Sequence, residues 1–467
     1  MNIQGYHWLP VDATKHRFVK PLVTVLGNKF DFFCSDSEKD VSRLTADGFW
    51  LAKGSYKGRT VAVCWCDFRV KGASFSSASA YRLNAYLELL EPDGIPLIFV
   101  LNSLGFRFTE GRNIFSEVFG LVPALDQFRK NNFLITVCQG RCLGIGAILF
   151  GLGHYRLAAN ENATLNLTGP EVFHQFFGEK VNFDGIAGAK TLHQKTSLIH
   201  EIRSSISDAL SYSVELAVSL QYKMSLPNLT ETSVQSGLGC LEKNRQKSKT
   251  ETIKCLKYFS KTGVELFEGY DDRLKAYVLD FRGNHLAVLI NPPGQMNNLF
   301  CHRSLEMYHH AIKLFAALDL PLLVMLDTPG IDPRFDGANQ RTIEKLIALT
   351  EDILHYPMPS IGIINGRGFG GANTLGIPKC YGGRAHYAVA GRSQLDVMHE
   401  SIMRELLSGS KDLLESWEAM QARQKEDCGD LVELGMLDGI VSCDTMADRI
   451  WADLYEPQEC KVVSLTF

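Results

Sequence analysis

The sequence predicts an α/β protein built of two tandem domains related by internal duplication. Three observations carry this. A glycine-rich turn occurs twice, at Gln139–Ala147 (QGRCLGIGA) and at Asn365–Asn373 (NGRGFGGAN), which places Gly140 on Gly366, Arg141 on Arg367 and Gly144 on Gly370. The match continues upstream with Pro96 on Pro321, Gly105 on Gly330 and Gly58 on Gly283, at an offset of 225 against 226 at the turns. A single one-residue shift over so long a stretch is the mark of a repeat. Finally, strand-length apolar runs alternate with amphipathic stretches in each half, as a parallel sheet covered by helices requires.

Taken in order, residues 1 to about 40 form a mixed lead with no clear period. Asp47–Gly54 and Tyr56–Cys66 read as two strands around a turn at Gly58, and Ser76–Leu90 as an amphipathic helix with Tyr81, Leu83, Tyr86, Leu87 and Leu90 at helical spacing. Ile95–Asn102 is a buried strand, Phe115–Phe128 a helix, Phe133–Gln139 a strand, and Gly144–Gly151 the start of the next helix. Tyr56, Tyr81 and the phenylalanines of 113–128 are expected in the core. Gly188–Thr191 reads as a turn and Leu198–Leu220 as a long helix. The polar, basic stretch Gln235–Lys254 reads as a linker, its Lys243, Arg245, Lys247, Lys249 and Lys254 as a solvated face.

The second half repeats the rhythm. Leu274–Ile290 gives strands, Ser304–Ala317 a helix, Leu322–Leu326 a strand and Ile343–Leu354 a helix. A charged helix follows at Lys411–Glu426, and Val432–Val441 is a helix stop at Gly435 leading into a strand. The expected domains are 1–234 and 263–467, joined by 235–262.

Composition narrows the function classes. The chain has 467 residues, 45% of them apolar, enough for two or three sizeable cores. A net charge of −4 offers no field for nucleic acid or an anionic membrane. Met1–Pro10 lacks the basic and apolar regions of a signal peptide, and the apolar run Cys142–Gly153 is too short to span a bilayer, so a cytoplasmic protein is expected. The 12 cysteines form no CxxC pair. Cys64 and Cys66 share a strand face, and Cys138 and Cys142 lie across a turn, so reduced core thiols and no metal are expected.

The repeated turn is where chemistry is expected. Four glycines between Gly366 and Gly371 let main-chain N–H groups approach a bound oxygen without interference from Cβ atoms. Where a strand feeds a helix N-terminus, such amides can face an oxygen that is becoming negative. Tight packing of strand on helix would use the same glycines. Arg107 and Arg367 could bind a carboxylate or phosphate, or form surface ion pairs.

Set side by side, these motifs resemble the carboxyltransferase (beta) component of the biotin-dependent acyl-CoA carboxylase family. Asn102–Gly111 (NSLGFRFTEG) resembles the family's D-S-G-G-A-R-I-Q-E-G, and Gly140–Ala147 resembles G-P-C-A-G-G-A. Thr168–Val172 (TGPEV) resembles T-G-P-D-V, and Gly188–Thr191 followed by His200 resembles G-A-K-T-H-x7-H. Asp327–Ile331 (DTPGI) resembles N-T-P-G-F, and Gly366–Asn373 resembles G-S-Y-G-A-G-N. The likeness spans about residues 45–441.

The resemblance implies two tandem crotonase-fold (ClpP-like ββα spiral) domains. It implies transfer of a carboxyl group between carboxybiotin and the α-carbon of an acyl thioester, carried on CoA or on an acyl carrier protein. Two backbone oxyanion holes follow from it: Gly105, Phe106, Ile145 and Gly146 for the thioester, and Gly370 and Gly371 for the biotin ureido oxygen. Arg107, Gly144, Ala147, Thr168, Gly169, Pro170, Gly330 and Ile331 would contact substrate. Biotin would arrive on a separate carrier protein charged by a biotin carboxylase, since no Met-Lys-Met site and no ATP-grasp region occurs. The family's head-to-tail pairing implies at least a homodimer.

The sequence departs from the family in three places. One family glycine is either replaced by Ile145 or displaced by an insertion, Leu192 stands where the family has the first His of its K-T-H motif, and the four-cysteine zinc ribbon of the family's split bacterial acetyl-CoA enzymes is missing, Cys34 being the only cysteine before Cys64. These keep open a malonyl- or methylmalonyl-thioester decarboxylase on the same scaffold and a non-catalytic scaffold subunit.

Overall fold

The computed structural model describes residues 5–12, 20–38, 44, 47–170, 172, 175, 182–229, 249–294, 298–332, 339–421 and 428–456. The chain divides into two compact units, residues 1–224 and 225–467.

The first unit carries a nine-stranded sheet: β1 (Tyr6–Asp12), β2 (Lys29–Ser35), β3 (Phe49–Tyr56), β4 (Arg59–Cys66), β5 (Leu97–Ser103), β6 (Leu134–Leu143), β7 (Tyr155–Ala158), β8 (Thr164–Asn166) and β9 (Glu201–Ile202). The strand order is β1-β2-β3-β4-β5-β6-β7-β9, with β8 pairing the far end of β6. Strands β1 to β4 are antiparallel and β4 onward parallel. The lead that gave no clear period supplies β1 and β2, and Phe30, Phe32, Phe33 and Cys34 of β2 are buried.

The second unit carries β10 (Gly263–Leu266), β11 (Lys275–Phe281), β12 (Asn284–Ile290), β13 (Leu322–Thr328), β14 (Ser360–Phe369), β15 (Ala385–Val389), β16 (Gln394–Asp396) and β17 (Gly439–Val441). Its order is β10-β11-β12-β13-β14-β15-β17, with β16 on β14. The registers repeat the duplication. Ala62 faces Leu97 where Ala287 faces Leu322, and β5–β6 and β13–β14 each slip at one place, after Leu101 and after Leu326.

Helices cover the sheets because their apolar stripes leave no other stable arrangement. Ser77–Leu90 starts at Ser76, whose hydroxyl accepts from Ser79 N–H, and buries Leu83, Tyr86, Leu87 and Leu90. Phe115–Phe128 buries Val118, Leu121, Leu125 and Phe128. Tyr81, Phe115 and Phe119, expected in the core, are instead exposed, because they fall on the opposite faces of their helices. In the second unit His302–Ala317 buries Leu305, Met307, Tyr308, Ile312 and Phe315.

Three other expectations change. Gly188–Thr191 is not a turn: Gly188 is the extended residue before the helix Ala189–Lys195, which buries Ala189 and Leu192. The long helix begins only at Ile206, because the Ser205 hydroxyl accepts from Asp208 N–H and caps it there, and β9 precedes it. Within the expected linker, 235–248 lies outside the described residues, whereas 249–256 is helical and buries Ile253 and Leu256. The charged helix is described as Lys411–Gln421, and 422–427 lies outside the described residues.

Candidate active site

Each unit carries a candidate site of its own, at the C-terminal ends of β5 and β6 in the first and of β13 and β14 in the second. In the first, a bridge between Phe75 and Phe106 sets the backbone. Phe75 N–H donates to Gly105 C=O at 2.8 Å, and Arg107 N–H donates to Phe75 C=O at 2.8 Å. Since Phe75 binds the groups on either side, the Phe106 N–H faces the other way and has no acceptor among the described residues. The second unit repeats this: Phe300 N–H donates to Gly330 C=O at 2.9 Å, Asp332 N–H donates to Phe300 C=O at 2.8 Å, and Ile331 N–H is left without an acceptor. The hydroxyls of Ser103 and Thr328 accept from Gly105 N–H and Gly330 N–H, each at 3.1 Å.

The glycine turns come up against these loops. Gly144 and Gly370 both sit at φ +59°, a conformation that costs L side chains strain, and each reverses the chain out of its strand. A Cβ on Gly105 would stand 3.0 Å from Leu143 O, so the two loops of the first unit touch through backbone alone. Upstream, the turns are braced by one side chain each. Asn102 Oδ1 accepts from Arg141 N–H at 3.0 Å, and Asp327 Oδ1 accepts from Arg367 N–H at 3.0 Å. These braces leave no space at the glycines they touch: a Cβ on Gly140 would be 2.8 Å from Asn102 Oδ1, and one on Gly366 2.5 Å from Asp327 Cγ. Neither brace was singled out from the sequence, although Asn102 and Asp327 lie 225 apart within the repeat.

After the turn, Ile145 opens the helix Ile145–Gly151, and its amide, like that of Gly371 in the second unit, has no acceptor among the described residues. The Ile145 side chain is buried, 4% exposed, so it enters the core and leaves the backbone donor in place. Ala147 N–H donates to Gly144 C=O at 3.0 Å and is engaged. Behind the first turn lie Cys142 and Phe75, within 3.4 and 3.7 Å of where a Cβ on Gly146 would be. Burial and the neighbouring Cys138 thiol push the Cys142 thiol well above its ordinary range, so it is a packing group and not a nucleophile.

The remaining predicted residues divide clearly. Thr168, Gly169 and Pro170 follow β8 at the surface, one residue past Leu167, whose carbonyl is 3.8 Å from the Cβ position of Gly144. Arg107 is not placed to bind substrate. Its guanidinium is buried, with Nη2 donating to Asp47 O and Ser74 O at 2.9 Å and Nε to Ser74 Oγ at 3.1 Å. Arg367 Nε donates to Asp327 Oδ1 at 2.8 Å, the ion-pair alternative. Lys190 pairs with Glu161 at the surface at 3.3 Å, and His200 is buried with Nδ1 accepting from Arg156 N–H at 3.3 Å, so both serve the fold.

The surroundings of the two turns differ. Beside the first, the Phe106 ring packs edge-on to Phe115 and Phe119 at 5.7 and 5.8 Å, and Phe115 and Phe119 stack on each other at 5.0 Å. Beside the second is a cavity of about 280 Å³, lined among others by Phe369, Asp396, Met398, His399, Glu400 and Cys428. Among the described residues no group of three or more His, Cys, Asp and Glu side chains is arranged to hold a metal, and no helix is long and apolar enough to cross a membrane.

The carboxyl transferase domain family matches residues 27–454. The chain is 23% identical to the propionyl-CoA carboxylase beta chain of Saccharopolyspora erythraea, over 86% of this chain and 79% of that one. It is 23% identical to the mitochondrial propionyl-CoA carboxylase beta chain of Mus musculus, over 89% and 78%. Its fold matches the crystal structure of transcarboxylase 12S with methylmalonyl-CoA and methylmalonic acid bound, with a TM-score of 0.74 at 19% identity, covering 96% of this chain and 86% of that one. The family match over residues 27–454, on a fold of two duplicated crotonase-like sheets, places the chain in the carboxyl transferase domain family, as an enzyme of the acyl-CoA carboxylase carboxyltransferase type.

Proposed function

We propose that the protein moves a carboxyl group between a carboxylated biotin on a separate carrier protein and the α-carbon of an acyl thioester. The observation that carries this reading is the repeated pair of amides with no acceptor among the described residues, Phe106 with Ile145 and Ile331 with Gly371, each pair on two loops from adjacent strand ends. The reaction develops negative charge on two oxygens, and a duplicated fold offers a donor pair for each. Phe106 and Ile145 N–H would hold the thioester carbonyl oxygen while the α-carbon is an enolate. Gly371 N–H, with Gly370 beside it and Ile331 N–H opposite, would hold the ureido oxygen.

Biotin supplies a ureido nitrogen that carries the carboxyl group and can accept the α-proton, so no side-chain base is required. The open second turn fits such a ring: a Cβ on Gly371 would meet nothing within 4 Å. The relatives are named for propionyl-CoA and acetyl-CoA, which favours a short acyl group on CoA over one on a carrier protein. The head-to-tail pairing of the family favours a homodimer or larger assembly, with a biotin carrier and biotin carboxylase as partners, in the cytoplasm.

The test is turnover of malonyl-CoA and methylmalonyl-CoA by the purified protein with and without free biotin, followed by mass. Decarboxylation that requires biotin supports the proposal. Biotin-independent loss of CO2 replaces it with a thioester decarboxylase, and no turnover under either condition favours the scaffold role.

A further inference from the structure

The cavity beside the second turn has a side chain whose geometry no part of the foregoing mechanism uses. His399 precedes the helix Glu400–Leu407 and caps it, its Nδ1 accepting from Ser401 N–H at 3.2 Å and from the Ser401 hydroxyl at 2.8 Å. A ring nitrogen that accepts carries no proton, so in the neutral imidazole the hydrogen is on Nε2. The ring stands edge-on to Phe369 at 5.9 Å, and Phe369 is the residue before Gly370. The chain just ahead of His399 also runs against the turn, with Val397 O 3.1 Å from the Cβ position of Gly370. His399 is exposed and lines the cavity, and its Nε2 has no partner among the described residues.

Among the described residues, the other charged groups that line the cavity are carboxylates. Asp396 on β16, Glu400 on the same helix and Asp430 on Gly429–Glu433 all line the cavity, with Glu400 drawn off by Arg404 Nε at 2.9 Å. An electron-rich oxygen entering here meets acceptors on most sides. A donor at His399 offsets that, with Gln394 as the other lining side chain that bears an N–H.

We propose that His399 Nε2–H donates a hydrogen bond to the carboxyl donor bound at the second turn, a cyclic urea or its carboxylated form, and so is a specificity-determining residue for that substrate. This rests on the reading that the second turn holds that group. The cap and the donor use different ring nitrogens, which lets two substitutions separate them. In His399→Asn the amide can occupy the place of Nδ1 and keep the cap, but nothing reaches the place of Nε2. In His399→Gln the amide nitrogen can reach the place of Nε2, but the cap is lost.

The experiment is biotin-dependent decarboxylation of methylmalonyl-CoA by the full-length protein, with free biotin as the varied probe and thermal melting in parallel. His399→Asn is expected to melt with the parent and to raise the KM for biotin about tenfold, the scale of one lost hydrogen bond, with the KM for the thioester unchanged. His399→Gln is expected to melt lower and to restore most of the biotin KM. A biotin KM in His399→Asn equal to the parent's overturns the proposal, as does a defect in both variants that follows melting temperature alone. If the parent shows no biotin dependence and Gly371→Val is equally active, the reading of the second turn fails and the donor role with it. Biotin dependence abolished by Gly371→Val but indifferent to His399→Asn removes only the histidine.

Discussion

The two glycine turns have the same backbone and different surroundings. In both, a bridge fixes the residue after Gly105 or Gly330, a polar side chain braces the amide of Arg141 or Arg367, and a glycine at φ +59° turns the chain. Beyond that point they diverge. The first leads into an α-helix with Ile145 and Gly146 buried and an aromatic wall of Phe106, Phe115 and Phe119 beside it. The second leads into the 3-10 helix Gly370–Gly376, with Gly370 and Gly371 exposed and a cavity alongside. Duplication kept what makes amide donors and released what shapes the ligand, as two different substrates on one chemical principle would require.

The comparison is broken most severely at Gly371. A Cβ there meets no protein atom within 4 Å, so Gly371→Val is expected to keep the melting temperature while lowering biotin-dependent turnover by about 1000-fold, through loss of the space before the amide. A turnover within tenfold of the parent would show that the second turn is not a binding site. The next effect is on stability against pH. His386 on β15 occupies the place that Arg156 holds on β7, and burial lowers its pKa to about 4. His154, beside Arg156, is lowered to about 4 as well, by burial and the charges of Arg129 and Arg156.

The native protein thus keeps these rings neutral where the unfolded chain takes up protons. Their stabilisation is present above about pH 6.5 and is lost as pH falls toward 4, by roughly 3 kcal/mol for His386. Urea unfolding at pH 7.5 and pH 5 measures it, and His386→Asn should flatten the dependence in part.

Smaller effects test the braces. Gly366→Ala forces a Cβ to 2.5 Å from Asp327 and should cost about 2 kcal/mol, and Gly140→Ala, at 2.8 Å from Asn102, about 1 kcal/mol, by denaturant unfolding. Equal costs would mean that the two braces are equally free to move. Asp327→Asn makes the second brace like the first and removes the negative charge beside Arg367; a loss of about 1 kcal/mol is expected, with biotin-dependent turnover nearly unchanged.

The architecture was legible because the repeat and the strand and helix periods are properties of short stretches. Gly105, Gly144 and Gly370 could be placed because a positive φ in a strand-to-helix turn demands glycine. What the sequence did not disclose depends on partners distant in the chain. Arg107 reads as an anion ligand until its guanidinium is found on the carbonyls of Asp47 and Ser74. Phe115 and Phe119 read as core until the helix is docked by Val118, Leu121 and Leu125. Ile145 reads as a damaged site, but an amide donor does not depend on its side chain, and this one is buried behind it. Phe75 and Phe300, which aim the Phe106 and Ile331 amides, carry no local signal at all.

The central claim is group transfer between two substrates held by two turns. The most direct measurement follows the label from methylmalonyl-CoA carrying an isotopic carboxyl group, incubated with the protein and free biotin and quenched in base. The account predicts label recovered on biotin, with propionyl-CoA formed in equal amount and neither product when biotin is left out. Label released only as CO2, at a rate indifferent to biotin, would contradict it.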